Sequence, residues 1–144
     1  MQSAWHNLPT FDGVQQLPGA EYAAREVSPD KNSITGELAG AYPPIPGLGT
    51  YRRSVSVREQ GITLRDETDH PGTVELTLLT EQQPVPAADG FVVGTLGGIR
   101  FDPDAVTAAV APVSITDPRL RTAWPETIYK ITLHFQKMLN LELY

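Results

Sequence analysis

Apolar and polar side chains alternate with a period of two along most of this chain, and this alternation limits its possible folds more than any other feature. Ile131, Leu133 and Phe135 would point to one side of an extended strand, and the polar residues between them to the other. No segment of ten or more residues carries a convincing 3.6-residue period of the kind that an amphipathic helix requires. The sequence therefore predicts an all-β protein.

Runs with this alternation recur along the chain, with turn residues between them. The run at 51–58 and the run that begins at Ile62 flank a Glu-Gln-Gly turn, so we expect them to form a hairpin. The other candidate strands are 12–17, 20–27, 33–39, 74–79, 90–96, 98–102, 105–115 and 130–136. About ten or more short strands favour an antiparallel β-sandwich, with a closed barrel as the alternative.

Three stretches rich in proline, glycine or charged residues are expected to be loops, at 40–49, 66–72 and 82–90. The segment 103–111 fits two structures equally well. It can form a short helix with Pro103 in the first helical position, or it can form a strand. The expected fold is thus a β-sandwich with at most one short helix.

The composition limits the classes of partner. At 144 residues the chain is most simply one domain, 1–144. Its net charge of -6 argues against nucleic acid or an anionic membrane as the main partner. No apolar run approaches the roughly 20 residues that span a bilayer. The chain has no cysteine, which excludes disulfides and thiolate metal sites but does not fix the compartment.

Three histidines are the residues best suited to proton transfer near neutral pH. His134 lies on the polar side of its predicted strand and His70 in a charged turn, so both are expected to be exposed to solvent. His6 differs, because Trp5 and Asn7 flank it and could hold its ring. From spacing alone, a structural role for His6 is still favoured over a catalytic one.

No metal ion or cofactor is predicted. Asp66, Glu67, Asp69 and His70 are dense enough to raise the question of a cation, but they lack the glycine and asparagine rhythm of loops that bind cations through oxygen. The chain also has no G-x-S-x-G motif for a nucleophilic serine.

Four aromatic residues could stack on sugar rings, namely Trp5, Trp124, Tyr42 and Tyr51. In a β-sandwich such rings more often fill the core, which is the favoured interpretation here. Composition and spacing therefore lead to an all-β domain with one histidine of interest, and no further.

A collinear set of short motifs adds a resemblance to this picture. The segment HNLPTFDGVQQLPGAEYAAR at 6–25 resembles the start of the C-terminal β-domain of heparinase II/III-like polysaccharide lyases, where the pattern runs roughly H-N-x-P-x-I-N-G-x-x-Q-x-x-G. Phe11 and Asp12 stand where an aliphatic residue and asparagine are common. The residues that fit are His6, Asn7, Pro9, Gly13, Gln16 and Gly19. Similar blocks follow in the same order: ELAGAYPP at 37–44, YRRSVSV at 51–57, ITLRDE at 62–67 and WPETIYKITLHF at 124–135.

The resemblance implies the smaller part of a two-part enzyme, in which an (α/α) toroid precedes the β-sandwich and an acidic polysaccharide binds where the two parts meet. Such lyases cleave 4-linked uronic-acid chains by β-elimination. A base removes the proton at C5, an acid protonates the leaving oxygen, and neutralising groups stabilise the enolate-like carboxylate. Most of the catalytic groups come from the toroid, while the β-domain lends a histidine and, in some members, a tyrosine.

Carried over to this chain, the resemblance implies His6 and Tyr42 as catalytic residues. Asn7 would fix the loop beside His6, and only one of the two consecutive arginines can share the face of Val55. The residues assigned to substrate binding are Trp5, Asn7, Arg52 and Arg53. Family members that hold zinc in this domain use further histidines and aspartates, and this chain has no matching second histidine.

No helical toroid is present within these 144 residues, so we expect the chain to be inactive alone and to work with the missing toroid domain of the same enzyme. It would be periplasmic or secreted if the parent enzyme is exported, and a cytoplasmic location is not excluded. The alternatives are a non-catalytic carbohydrate-binding module and a structural module that packs on a neighbouring domain through an exposed apolar patch.

Overall fold

A computed structural model describes residues 3–95 and 97–144, and within them the fold is all-β. Twelve strands are present in the described residues. In chain order they are β1 (Pro9–Phe11), β2 (Arg25–Pro29), β3 (Ser33–Glu37), β4 (Tyr51–Arg58), β5 (Gly61–Thr68), β6 (Val74–Thr80), β7 (Pro84–Ala87), β8 (Gly90–Val93), β9 (Gly97–Arg100), β10 (Thr107–Ser114), β11 (Thr127–Phe135) and β12 (Met138–Leu143). The helical segments are short 3₁₀ turns at Ser3–Trp5, Ala39–Ala41 and Leu120–Thr122. In these ranges no helix has the length and apolar character needed to cross a bilayer.

The strands form two antiparallel sheets, which confirms the predicted sandwich over the barrel. The smaller sheet has the order β1-β6-β11-β10, and the larger has the order β2-β3-β4-β5-β12-β9-β8-β7. Neither sheet closes on itself. The predicted hairpin is present, since β4 and β5 pair from Tyr51 with Thr68 to Arg58 with Gly61. The alternation predicted for β11 is also confirmed, because Ile131, Leu133 and Phe135 are all buried in the core.

The strand predicted at 12–17 is wrong, because the chain reverses direction there. Asp12 and Gly13 have φ angles of 50° and 76°, and Phe11 and Val14 exchange both backbone hydrogen bonds across them. A two-residue turn with both φ angles positive is the tight hairpin connection that Asp-Gly favours. The strand in this region is β1, which comes before the turn and pairs with β6.

Other boundaries shift. Five predicted strands exist within different limits, namely 20–27, 33–39, 90–96, 98–102 and 105–115. Leu96, the last residue of the third, lies outside the described residues, and so do residues 1 and 2. The predicted loop 82–90 contains β7, an edge strand that tolerates its prolines because one side needs no ladder donors. β12 was not predicted. Segment 103–111 forms a turn followed by β10, not a helix.

The expected polar turn at 66–72 is only partly correct. β5 continues to Thr68, and Asp66 points inward with Leu64. The expectation of a solvent-exposed His70 is wrong, since only 1% of this residue is exposed. Its ring packs edge-on against Phe11, with 5.4 Å between the ring centroids. The prediction failed because it took the exposure of His70 from the charged residues beside it in the sequence.

The sandwich is closed at one end of β4 and open at the other. Along the inward face of this strand, Tyr51 is fully buried, Val55 is half-buried and Val57 is 58% exposed. Ile34 and Ile62 lie on the same face beside them and are also exposed. The eight-stranded sheet thus extends beyond the four-stranded sheet and leaves an apolar area uncovered.

Candidate functional site

The residues around His6 form a compact turn, which we call the His6 turn (residues 3–8). It begins with the 3₁₀ segment Ser3–Trp5, and the His6 amide donates to the Ser3 carbonyl at 2.9 Å. The two consecutive glutamines of the motif hold this segment. The Gln15 side chain accepts from the Ala4 amide at 3.0 Å, and the Gln16 amide donates to Ser3 Oγ at 3.0 Å. The turn therefore has a defined backbone, although it lies at the surface.

Three predicted site residues are consecutive and exposed on this turn: Trp5, His6 and Asn7. His6 lines a surface hollow of about 330 Å³ together with Leu8, Gln16 and Leu17 among others. Trp5 is 40% exposed. These side chains provide an aromatic face, an imidazole and an amide, which are the groups that recognise a sugar ring and exchange a proton with it.

A lysine lies close to this group, although sequence reasoning did not single it out. The Lys130 ammonium lies 5.5 Å from the centroid of the Trp5 ring, within cation–π range. It is also 3.5 Å from Glu75 Oε1, and His134 Nε2 lies 3.4 Å from Glu75 Oε2. His134 remains a half-exposed residue on the outer face of the smaller sheet, as its position in the strand predicted.

Arg53 takes the inward face that it shares with Val55, and there it forms a buried ion pair. Its Nε and Nη2 atoms donate to the two carboxylate oxygens of Asp66, each at 2.6 Å. The side chain of Arg53 is 12% exposed and that of Asp66 is fully buried. Burial alone would lower the pKa of Arg53, but the hydrogen bonds to Asp66, together with the electrostatic effects of Tyr51, Asp66 and Tyr42, outweigh it and raise the pKa above its ordinary value. The third nitrogen, Nη1, donates to the Asn7 carbonyl at 2.5 Å.

Arg52 points to the opposite face of β4 and is not brought near His6. Its Nη2 atom lies 2.9 Å from Glu26 Oε2, and both side chains are more than half exposed. Surface pairs of this kind contribute little to stability. Of the two arginines assigned to substrate binding, one is held inside the sandwich and the other lies away from the His6 turn.

Tyr42 lies behind the His6 turn, not beside it. It is 4% exposed, and its hydroxyl donates to the Pro9 carbonyl at 2.7 Å. Its ring packs edge-on against Phe11 at 5.1 Å. Burial raises the pKa of Tyr42 well above the usual value for tyrosine. In this arrangement the hydroxyl supports the backbone next to the turn. Tyr42 does not line the hollow beside His6, although its hydroxyl lies near Gln16, which does.

Tyr51 provides a matched contrast to Tyr42. Its hydroxyl is buried near the Asp66 carboxylate, but within the described residues it meets the geometry of a hydrogen bond with neither Asp66 nor any other group. Burial raises the pKa of Tyr51 well above its ordinary value, and the nearby Asp66 carboxylate adds to the effect.

The two tyrosines should respond differently to loss of the hydroxyl. We expect Tyr42→Phe to lower the free energy of unfolding by about 1–2 kcal/mol, because it leaves the buried Pro9 carbonyl without its partner. Tyr51→Phe should cost less than about 0.5 kcal/mol or stabilise the fold, because it removes a buried group that makes no hydrogen bond. Urea unfolding followed by circular dichroism measures both. Equal losses in the two variants would contradict the assigned hydrogen bonds.

Sequence reasoning also missed the contact between His70 and the Asp-Gly turn. His70 Nε2 lies 3.2 Å from Asp12 Oδ2, but neither ring nitrogen meets the geometry of a hydrogen bond. A side chain at Gly72 would come within 2.8 Å of the same nitrogen. The buried imidazole therefore packs beneath the turn that follows β1, and glycine at position 72 leaves room for it.

The acidic run that raised the question of a cation does not converge. Asp66 binds Arg53, and Glu67 lies 2.6 Å from Arg65. Asp69 accepts from the amides of Gly49 and Thr50, each at 2.9 Å, and the bond from Thr50, with that from Gly49, lowers the pKa of Asp69. Among the residues that the structure describes, no three of His, Asp and Glu lie close enough to hold a metal ion.

Trp5, His6 and Asn7 are thus consecutive and exposed, but His6 and Asn7 line different hollows, and Trp5 lies against Lys130. Arg53 and Tyr42 bond to the backbone beside His6 from the interior, and Arg52 pairs with Glu26 on the other face of β4. The burial of Arg53 could have been anticipated, because alternation puts Arg53 and Asp66 on the inward faces of two strands predicted to pair.

A scan against models of protein families finds no match to this chain. A search of curated proteins finds no match either.

Proposed function

We propose that this chain is the β-sandwich portion of a polysaccharide lyase that acts by β-elimination on polymers containing uronic acid. The His6 turn forms part of one wall of the cleft, and the helical toroid domain of the same enzyme forms the other. The observation that carries the proposal is the H-N motif at positions 6 and 7, which resembles that of heparinase II/III-like lyases and lies on an exposed, well-braced turn. The chain alone is inactive in this proposal.

The chemistry of the turn supports a role in proton transfer. His6 is exposed, and a histidine can donate or accept a proton near neutral pH. Trp5 can stack on a sugar, and the Lys130 ammonium beside it can pair with a carboxylate. With a net charge of -6, the chain as a whole does not attract a polyanion. The groups that neutralise most of the substrate charge therefore belong to the other wall.

The uncovered end of the larger sheet supports a second domain. Val27, Ile34 and Val57 are each about half exposed on one face of this sheet, at 53%, 48% and 58%. Val27 and Ile34 border an apolar hollow of about 230 Å³, together with Leu38 and Val55 among others. Such a surface is costly to leave in water, and packing against the toroid would cover it. This feature also agrees with the structural alternative, so the test must address the sugar.

A titration followed by NMR tests the proposal on the 144-residue chain. Oligosaccharides of 4-linked uronic acid, prepared from heparan sulfate and from alginate, are added to the isotope-labelled protein. We expect shifts confined to Trp5, His6, Asn7 and their neighbours, with a Kd of about 1 mM, because half a cleft offers few contacts. We expect no absorbance from unsaturated product. Trp5→Ala and His6→Ala should each weaken binding by roughly 3–10-fold.

Matched controls exist within the chain. Trp124 is 44% exposed, close to the 40% of Trp5, and Trp124→Ala should leave binding unchanged. Arg52→Ala should do the same, because Arg52 pairs with Glu26 and lies away from the His6 turn. Shifts centred on Trp124, or no shifts at the His6 turn with any of the sugars, would contradict the proposed site. Elimination by the chain alone would contradict the need for a toroid.

A further inference from the structure

We infer that Arg53, Asp66 and Tyr42 position the His6 turn and do not themselves contact substrate. We call these three residues the carbonyl clamp. The inference rests on the proposed function, because it concerns how the imidazole of His6 is aimed at a saccharide. It gives Arg53 and Tyr42 roles that differ from those expected from the sequence, and it adds Asp66, to which the sequence assigned no role.

The clamp holds two carbonyl groups on either side of Leu8. The Asn7 carbonyl accepts from Arg53 Nη1 at 2.5 Å, and the Pro9 carbonyl accepts from the Tyr42 hydroxyl at 2.7 Å. The turn also closes on itself, since the Leu8 amide donates to the His6 carbonyl at 2.6 Å. Two side chains from outside the smaller sheet therefore fix the backbone directly after His6.

Asp66 determines the direction in which Arg53 donates. Both carboxylate oxygens are occupied by Nε and Nη2 of Arg53, each at 2.6 Å, and the carboxylate is fully buried. Because the guanidinium group is planar and rigid, this bidentate contact also sets the position of Nη1. A lysine could not hold the carboxylate at two points and reach the Asn7 carbonyl at once.

A role in positioning explains this pair better than a role in stability alone. Replacing a buried ion pair by apolar residues of similar volume is often neutral or stabilising, so the pair is weak evidence for a stability function. Arg53 Nη1, which does not bond to Asp66, donates to the carbonyl of Asn7, the residue next to His6. The neighbouring surface pair, Arg52 with Glu26, does not reach the turn and serves as the control.

Hydrogen exchange in a double variant tests the clamp. Arg53→Met combined with Asp66→Leu removes the pair without leaving a buried charge alone, and we expect it to fold cooperatively. The amides of His6 and Leu8, which close the turn, should exchange at least about tenfold faster, because the turn opens locally while the sheets stay intact. Amides within β6 and β11 should stay within about twofold of the parent chain. Arg52→Met with Glu26→Leu should change neither group.

Two results would overturn the clamp. One is unchanged exchange of His6 and Leu8 in the double variant. The other is an equal rise in β6 and β11, which would indicate general loss of stability. Should the double variant not fold, Tyr42→Phe decides the matter, since it keeps the ion pair and removes the bond to Pro9. Exchange at His6 and Leu8 should then rise by more than the general rise in β6 and β11 that its loss of stability brings.

The saccharide titration separates this inference from the proposed function. If the parent chain binds uronate at the His6 turn, the double variant should bind at least about threefold more weakly, while retaining its fold. Unchanged binding would contradict the positioning role. A parent chain that binds no uronate would contradict the proposed function, and the exchange measurements would still decide whether the clamp holds the turn.

Discussion

Arg53→Ala is expected to lower the free energy of unfolding by about 3–5 kcal/mol, because it leaves a buried carboxylate without its partner. Asp66 is fully buried, and both of its oxygens depend on Arg53 for hydrogen bonds. Urea unfolding near neutral pH, followed by circular dichroism, measures the loss.

Two controls separate the buried charge from the loss of an arginine as such. Arg52→Ala removes the adjacent, exposed arginine and should cost less than about 0.5 kcal/mol. The double variant Arg53→Met with Asp66→Leu should recover most of the stability that Arg53→Ala loses. An Arg53→Ala variant as stable as Arg52→Ala would show that the Asp66 carboxylate does not depend on this partner.

Phe11→Ala is expected to cost about 3–5 kcal/mol as well, for a different reason. Phe11 is fully buried and is the centre of an aromatic cluster. Its ring centroid lies 5.1 Å from Tyr42, 5.3 Å from Tyr51 and 5.4 Å from His70, each in an edge-on arrangement. Truncation would leave a cavity between rigid rings that cannot collapse into it. Chemical denaturation measures the change.

Phe101 provides the comparison for Phe11. It is half-buried and packs against Phe91 with 6.0 Å between the centroids. Phe101→Ala should therefore cost clearly less, about 1–2 kcal/mol, because water can fill part of the space. If both truncations had the same effect, the cluster around Phe11 would not be the tightly packed centre that its contacts indicate.

The predictions that succeeded depend on periodicity. Alternation along 51–58 and 130–136 placed Tyr51, Ile131 and Leu133 in the interior, and all three are fully buried. The hairpin of β4 and β5 followed from one turn between two such runs. These features depend on the order of neighbouring residues, because successive side chains of a strand point to opposite faces of the sheet whatever the rest of the chain does.

The predictions that failed involve contacts between distant segments. His70 was expected in solvent because its sequence neighbours are charged, yet it packs against Phe11, some 60 residues earlier in the chain. The hydrogen bonds of Tyr42 and Arg53, which end on the backbone of Pro9 and Asn7, also join distant segments, and no sequence pattern indicated them. A local sequence pattern does not indicate which carbonyl a buried donor will form a hydrogen bond with.

The amino-acid sequence by itself determined the all-β class, the hairpin of β4 and β5, and the inward faces of the long strands. These follow from steric preferences and side-chain period, which act over a few residues. Only the tertiary structure decided that the larger sheet extends past the smaller one, and that His6 stays exposed while the charged pair behind it is buried. The physical reason is that burial and hydrogen-bond partners are set by the pairing of segments far apart in the chain, and each charge removed from water needs a partner that this pairing alone can supply.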